Sequence, residues 1–213
     1  MQKLNNLVII GTSHIAIESV KEVRSQILKY RPKVIALELD KSRLYALLNP
    51  GKKRIRLSDV NKMGLKGFLF NLFGAWAEKR LGKMVATPPG SEMKAAVEAA
   101  GETNALIALI DQDITITLKR LSKSITLREK LRFLKEVVKG VILRKSDIAI
   151  DLTKVPEEKI IHSLTQRVKK EYPSIYKVLI EERNLVMAKA LYKIMNQYKE
   201  DTILAIVGAG HEK

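Results

Sequence analysis

Two of the three histidines in this 213-residue chain stand in the same local setting. His14 closes "VIIGTSH" and His211 closes "IVGAGH"; each follows an apolar run and lies three residues after a glycine, Gly11 or Gly208. A third reactive group, Glu38 of "VIALELDKSR", is flanked by Leu37 and Leu39 in a run that reads as buried. A carboxylate in such a place needs a partner or a proton. Arg183 could be that partner, as could Arg43, three residues beyond Asp40. Two imidazoles and a carboxylate are the inventory of a divalent-metal site or of an acid–base site. The competing reading is that each histidine only hydrogen-bonds its own turn. Cysteine is absent, which excludes disulfides and thiolate metal ligands. Neither an H-E-x-x-H helix nor a serine in a nucleophile elbow is present.

Such groups act together only if the chain brings its two ends to one place. Leu7–Ile10, Val34–Leu39, Ala105–Ile110 and Ile203–Val207 are apolar runs with strand character. Between the first two, Ile15, Val20, Val23, Ile27 and Leu28 recur at helical spacing, and Pro32 ends the helix. Strand, helix, strand within ~30 residues is a βαβ unit, so these two strands are expected to be parallel neighbours. "SEMKAAVEAAGETN" reads as a further helix, with Ser91 as its cap and Gly101 as its terminator. From Ile114 to Lys199 the pattern is amphipathic helix with breaks. The expected fold is therefore α/β: a mainly parallel sheet built from both chain ends, with a helical insertion at about 114–172, in one domain over 1–213. In a parallel sheet, functional groups collect beyond the carboxyl ends of the strands. His14, Glu38 and His211 all leave such ends, and the glycines permit tight turns beside them.

The composition, 46% hydrophobic and 29% charged, is that of a folded domain. The N-terminal apolar run is too short for a signal peptide, and no stretch approaches the ~18 apolar residues of a spanning helix. A net charge of +16 asks for an anionic partner. A nucleic-acid partner is not expected, because aromatics are scarce outside one segment and no binding motif occurs. That segment, "LKGFLFNLFGAW" (Leu65–Trp76), holds three of the four phenylalanines and the only tryptophan between basic flanks. Its stripe of Leu65, Leu69, Leu72 and Trp76 suits a packed helix, or else an interfacial helix or lid. His162 reads as a helix-surface histidine. The basic segment 114–170 carries Leu127, Leu131, Leu134, Val138 and Ile142 at helical spacing, which leads to the expectation of a homodimer through it.

Taken together, "VIIGTSHIAIESVKEV", "VIALELDKSR", "PPGSEMKAAVEAA", "LIDQDITITLKR", "EERNLVMAKAL" and "IVGAGH" resemble the TraB/PrgY family over nearly the whole chain. That family is related to the Tiki proteases and, more distantly, shares a fold with erythromycin esterases and ChaN-like haem-binding proteins. The resemblance implies an α/β domain of two pseudo-related halves, each supplying one Gly-x-x-His. It puts His14, Glu38 and His211 in the presumed active site as metal ligands, with Arg183 and Asn184 nearby. Asp113, Thr117 and Arg120 of "DQDITITLKR" match a further family motif to which no chemistry is assigned.

On that basis the expected activity is metal-dependent hydrolysis, peptidase-like, with manganese, cobalt or zinc polarising a carbonyl. Arg183 would stabilise an oxyanion or hold Glu38 in place. The alternative implied by the PrgY-type members is a non-enzymatic, membrane-associated module that binds a peptide or small ligand. His211 stands two residues before Lys213, where a chain end would fray, so further chain is expected beyond it. The resemblance implies that this continuation is a membrane anchor, with the basic domain against an anionic surface on the cytoplasmic side.

Overall fold

The computed structural model describes residues 1–12, 17–49, 90–133, 135, 158–208 and 211. His14 and the aromatic segment Leu65–Trp76 lie outside the described residues, as do Leu134, Val138 and Ile142. Five strands are described: β1 (Gln2–Leu4), β2 (Leu7–Thr12), β3 (Val34–Leu37), β4 (Leu106–Leu109) and β5 (Ile203–Gly208). The helices are α1 (Ile17–Tyr30), α2 (Lys41–Leu48), α3 (Ser91–Thr103), α4 (Ile114–Ser124), α5 (Glu158–Glu171), α6 (Pro173–Tyr176) and α7 (Glu182–Gln197). A π-helical segment, Lys177–Glu181, joins α6 to α7. Residues 127–133 form another helical run, and His162 falls in α5. No described helix is long and apolar enough to cross a membrane.

The sheet order is β1-β2-β5-β3-β4, with β1 antiparallel and every other pair parallel. The strands β2 and β3, expected to be neighbours, are instead separated by β5. Leu7 of β2 and Val34 of β3 both pair with Ile203. The reason lies in β5 itself: "ILAIVG" is buried at all six positions, which only a central strand with both faces covered allows. Its alternation divides the core. Leu204 and Ile206 join Val8, Ile10, Ile35 and Leu37 under α1 and α3, whereas Ile203, Ala205 and Val207 join Leu7, Val34 and Ala36 under α7. Ile206 is fully buried on the central strand. Ile206→Ala is expected to destabilise the fold by ~2–5 kcal/mol, from lost burial plus the cavity left behind. A denaturant titration that returned the wild-type midpoint would contradict this placement of β5.

Two local expectations are corrected by the packing. Gly90, with φ of 85°, is the N-cap of α3, and Ser91 is its first residue. The helix also continues through Gly101 to Thr103 and stops at Asn104, which is left-handed with φ of 55°. The face with Ala96, Ala99 and Ala100 is buried against α1, and that packing outweighs the weak helix propensity of one glycine. The short strand β1 was invisible to periodicity because all three of its residues are exposed. It is held by the turn at Asn5 and Asn6, where Asn5 has φ of 51° and Asn6 Nδ2 donates to Tyr198 O (2.8 Å) and Asp201 O (3.2 Å).

Candidate functional site

Three parallel strands deliver side chains to one edge. Glu38 follows β3, and its backbone N–H still bonds to Ile206 O at 3.1 Å, so its position is fixed by the ladder. Asp111 leaves β4, its N–H facing Leu39 O at 3.4 Å. Gly208 ends β5, and its N–H donates to Glu38 Oε2 at 2.6 Å. His211 lies just beyond it. From the opposite side the first turn of α7 brings in Arg183 and Asn184.

Arg183 is the hub, and all five of its N–H groups are spent within the protein. Nε donates to Asp111 Oδ1 at 3.0 Å, and Nη2 donates to Asp111 Oδ2 at 2.6 Å and to Glu38 Oε1. Nη1 donates to Leu179 O and to His211 Nε2, each at 3.2 Å. The π-helical segment has a part in this. Glu182 N–H reaches back five residues to Lys177 O, and in the segment so formed Leu179 O accepts from the guanidinium. Arg183 can only donate, so His211 Nε2 is the unprotonated nitrogen. The imidazole proton is then on Nδ1, which donates to Asn184 Oδ1. His211 Nε2 also lies 3.5 Å from Glu38 Oε1.

A second guanidinium completes the cluster. Asp40 caps α2, its Oδ1 accepting from Ser42 N (2.7 Å) and Arg43 N (3.0 Å). Its Oδ2 accepts from Arg43 Nε at 2.7 Å and from Ile114 N at 3.3 Å, tying the start of α2 to that of α4. Arg43 Nη2 donates to Asp111 Oδ2, so Asp111 is shared by both arginines. Burial pushes the Asp111 carboxyl up, but the hydrogen bond and charge of Arg183 and then the charge of Arg43 outweigh it, holding the group below the ordinary aspartate range. Arg183 responds in the other sense: burial alone would lower its pKa, yet Asp111 and Glu38 raise it.

Of the residues singled out in the sequence, Glu38, Asp40, Arg43, Arg183, Asn184, Gly208 and His211 meet here. Gly11, Asp113, Thr117 and Arg120 stand apart, and His14 lies outside the described residues. Gly11 pairs with Val207 inside the sheet. Asp113 caps α4, accepting from Thr115 N at 2.7 Å. Thr117 is buried against Gln112 Nε2 at 2.9 Å. Arg120 makes a surface ion pair with Glu182 at 2.8 Å. The residue that sequence reasoning passed over is Asp111, whose side chain is 0% exposed. The signal was present in "IALIDQD": Asp111 is the first acid past an apolar strand, the same position that singled out Glu38.

The donor chemistry bears directly on a divalent cation. Three carboxylates face two guanidinium groups, which leaves one formal negative charge in surplus beside the His211 Nε2 lone pair. The Asn184 bond to Nδ1 is the kind of outer contact that orients a metal-ligating imidazole. His211 Nε2 and Glu38 Oε1, 3.5 Å apart, are donor types that suit a divalent ion, and in this arrangement both accept from Arg183. Among the described residues no group of three or more metal-binding side chains is assembled, and His14 lies outside them.

A family model described as the TraB/PrgY/gumN family matches residues 2–212. An uncharacterized protein of Methanocaldococcus jannaschii is 36% identical over 211 residues, covering 97% of this chain. The match takes in 51% of that relative, so the chain spans about half of its length.

Proposed function

The chain belongs to the TraB/PrgY/gumN family, and from that premise we propose that its domain is a divalent-metal-dependent, peptidase-like hydrolase. The observation that carries the reading is the surplus negative charge beside an imidazole whose tautomer Arg183 and Asn184 have set. His211 through Nε2 and Glu38 through Oε1 would hold the ion, with His14 the third ligand on family grounds. Manganese, cobalt or zinc there would supply Lewis-acid polarisation of a carbonyl and acidification of water. Arg183 fixes Glu38 by a short ion pair and orients Asp111 through two bonds. It also donates to the same Nε2 lone pair that an ion would use, so ion and hydrogen bond exclude one another. An Nη1 donor freed in that way is the one that Arg183 could turn towards a developing oxyanion.

One observation favours a second reading, a module that binds a peptide or small ligand without chemistry. Both Glu38 oxygens and every Arg183 donor are already engaged within the protein, as in a structural lock. Metal analysis of protein purified without an affinity tag, followed by dialysis against Mn²⁺, Co²⁺ and Zn²⁺, separates the two. The expected result is one ion per chain, lost in His211→Ala and in Glu38→Gln, with peptide hydrolysis that follows occupancy. Wild-type protein that retains no divalent ion after reloading would remove the hydrolase reading in favour of the binding one.

A further inference from the structure

The two arginines of the cluster share Asp111 Oδ2 but differ in what remains to them. Arg183 has no N–H left to offer. Arg43 spends only Nε, on Asp40, and one Nη2 hydrogen, on Asp111. Both Nη1 hydrogens and the second on Nη2 have no partner among the described residues. Exposure follows the same division: the Arg43 side chain is 31% exposed, that of Arg183 14%. Arg43 is therefore fixed along one edge by two carboxylates, and the end of its planar fork has no partner among the described residues, beside the cluster that holds Glu38 and His211. A clamped guanidinium has lost most of its side-chain freedom already, so a ligand that docks on it meets a small ordering cost.

We propose that Arg43 is the ligand-facing cation of this site and that it receives a carboxylate of the substrate, such as the free C-terminus of a peptide, through its end-on N–H pair. The proposal rests on the metal reading above. The cluster alone carries a surplus negative charge and would repel an anion, whereas a divalent ion at His211 and Glu38 reverses that sign. Carboxylate binding should accordingly follow metal binding. The same charge account separates Arg43 from the lysines of the surface, which are not coupled to the occupancy of the cluster.

The experiment uses the full chain with Zn²⁺, a diamagnetic ion, and the probe pair acetyl-trialanine with a free carboxyl end and the same peptide as its amide. Zinc binding and peptide binding are read separately by calorimetry, and the Arg43 Nε–H resonance is followed by NMR. With zinc bound, the free acid is expected to bind at least ~10-fold more tightly than the amide, to shift the Arg43 signal, and to lose that preference without zinc. Arg43→Gln is expected to abolish the preference while zinc still binds, at no lower affinity, because a neighbouring positive charge has been removed. Arg43→Lys, which keeps a charge against Asp111 but not the fork, should retain only part of it, and thermal melts of both variants establish that they are folded. Zinc binding with equal affinity for acid and amide, or a preference that survives in Arg43→Gln, would overturn this proposal alone. Inorganic phosphate that displaced the peptide more strongly than a carboxylate does would overturn its choice of ligand. Failure of the wild-type chain to bind zinc would remove both this proposal and the metal reading.

Discussion

Exchanging Arg183 for methionine is expected to destabilise this fold by about 3–5 kcal/mol, the usual cost of breaking a buried ion pair from one side. Methionine fills a similar length but leaves Glu38, 6% exposed, without its guanidinium partner and Asp111, 0% exposed, with Arg43 alone. It also removes the bonds that Arg183 Nη1 makes to Leu179 O and His211 Nε2. The effect should be strongly non-additive. Once Arg183 is gone, a further change of Asp111 to Asn is expected to cost much less than it does in the wild type, because only the pair with Arg43 is then left to lose. Denaturant midpoints of the two single variants and the double variant measure this directly. Additive losses would mean that Arg183 and Asp111 stabilise the domain independently and that the cluster is not a unit.

Asp111→Asn on its own carries the second large effect, again about 3 kcal/mol at neutral pH, since two guanidinium groups lose the carboxylate they share. Its pH dependence is the sharper test. In the folded protein Asp111 titrates below the ordinary aspartate value, and in the unfolded chain it titrates near ~3.9. Above about pH 4 both states are ionised and the full contribution is present. As pH falls below that point the unfolded chain binds the proton first, so stability drops until the folded-state pKa has been passed. The variant lacks this titration. Its stability should therefore fall less steeply in acid, and the gap from wild type should close as pH is lowered. Two curves that ran parallel from neutral to acid pH would show that the Asp111 charge is not what the arginines stabilise.

Much of this was legible in the residues, for identifiable reasons. The runs that became β2, β3, β4 and β5 are apolar without interruption, as suits strands; β2, β3 and β5 are largely or wholly buried, whereas the edge strand β4 leaves Leu106 and Ile107 exposed. That placed Glu38 and His211 at strand ends, where the ladder positions the residues just beyond it. The choice of partner was not legible. Arg43 and Arg183 were equal candidates for Glu38, and only the approach of α7 across the sheet edge assigns Arg183 to it. Asp111 was hidden by its neighbour, since "DQD" offers two acids and strand register decides which one faces the cluster. The π-helical segment has no sequence signature at this level: "KVLIE" is ordinary helix by propensity, with Val178 buried within it. The outer strand β1 was missed because an exposed strand of three residues has no periodicity to read.

The central position of β5 sets a schedule for the birth of the molecule. Glu38 and Gly208, joined by one hydrogen bond in the finished sheet, lie 170 residues apart in sequence. While a ribosome is still making the intervening helices, β2 and β3 have no strand between them, and each shows a bare apolar edge to the cell. Loop closure over such a span is slow, and open edges of this kind recruit the wrong strands. Nascent chains that have not reached residue 203 should therefore depend on chaperones that hold exposed strands. The stretch that completes the sheet is also the one that delivers His211, so the Arg183 cluster cannot close on a half-made domain.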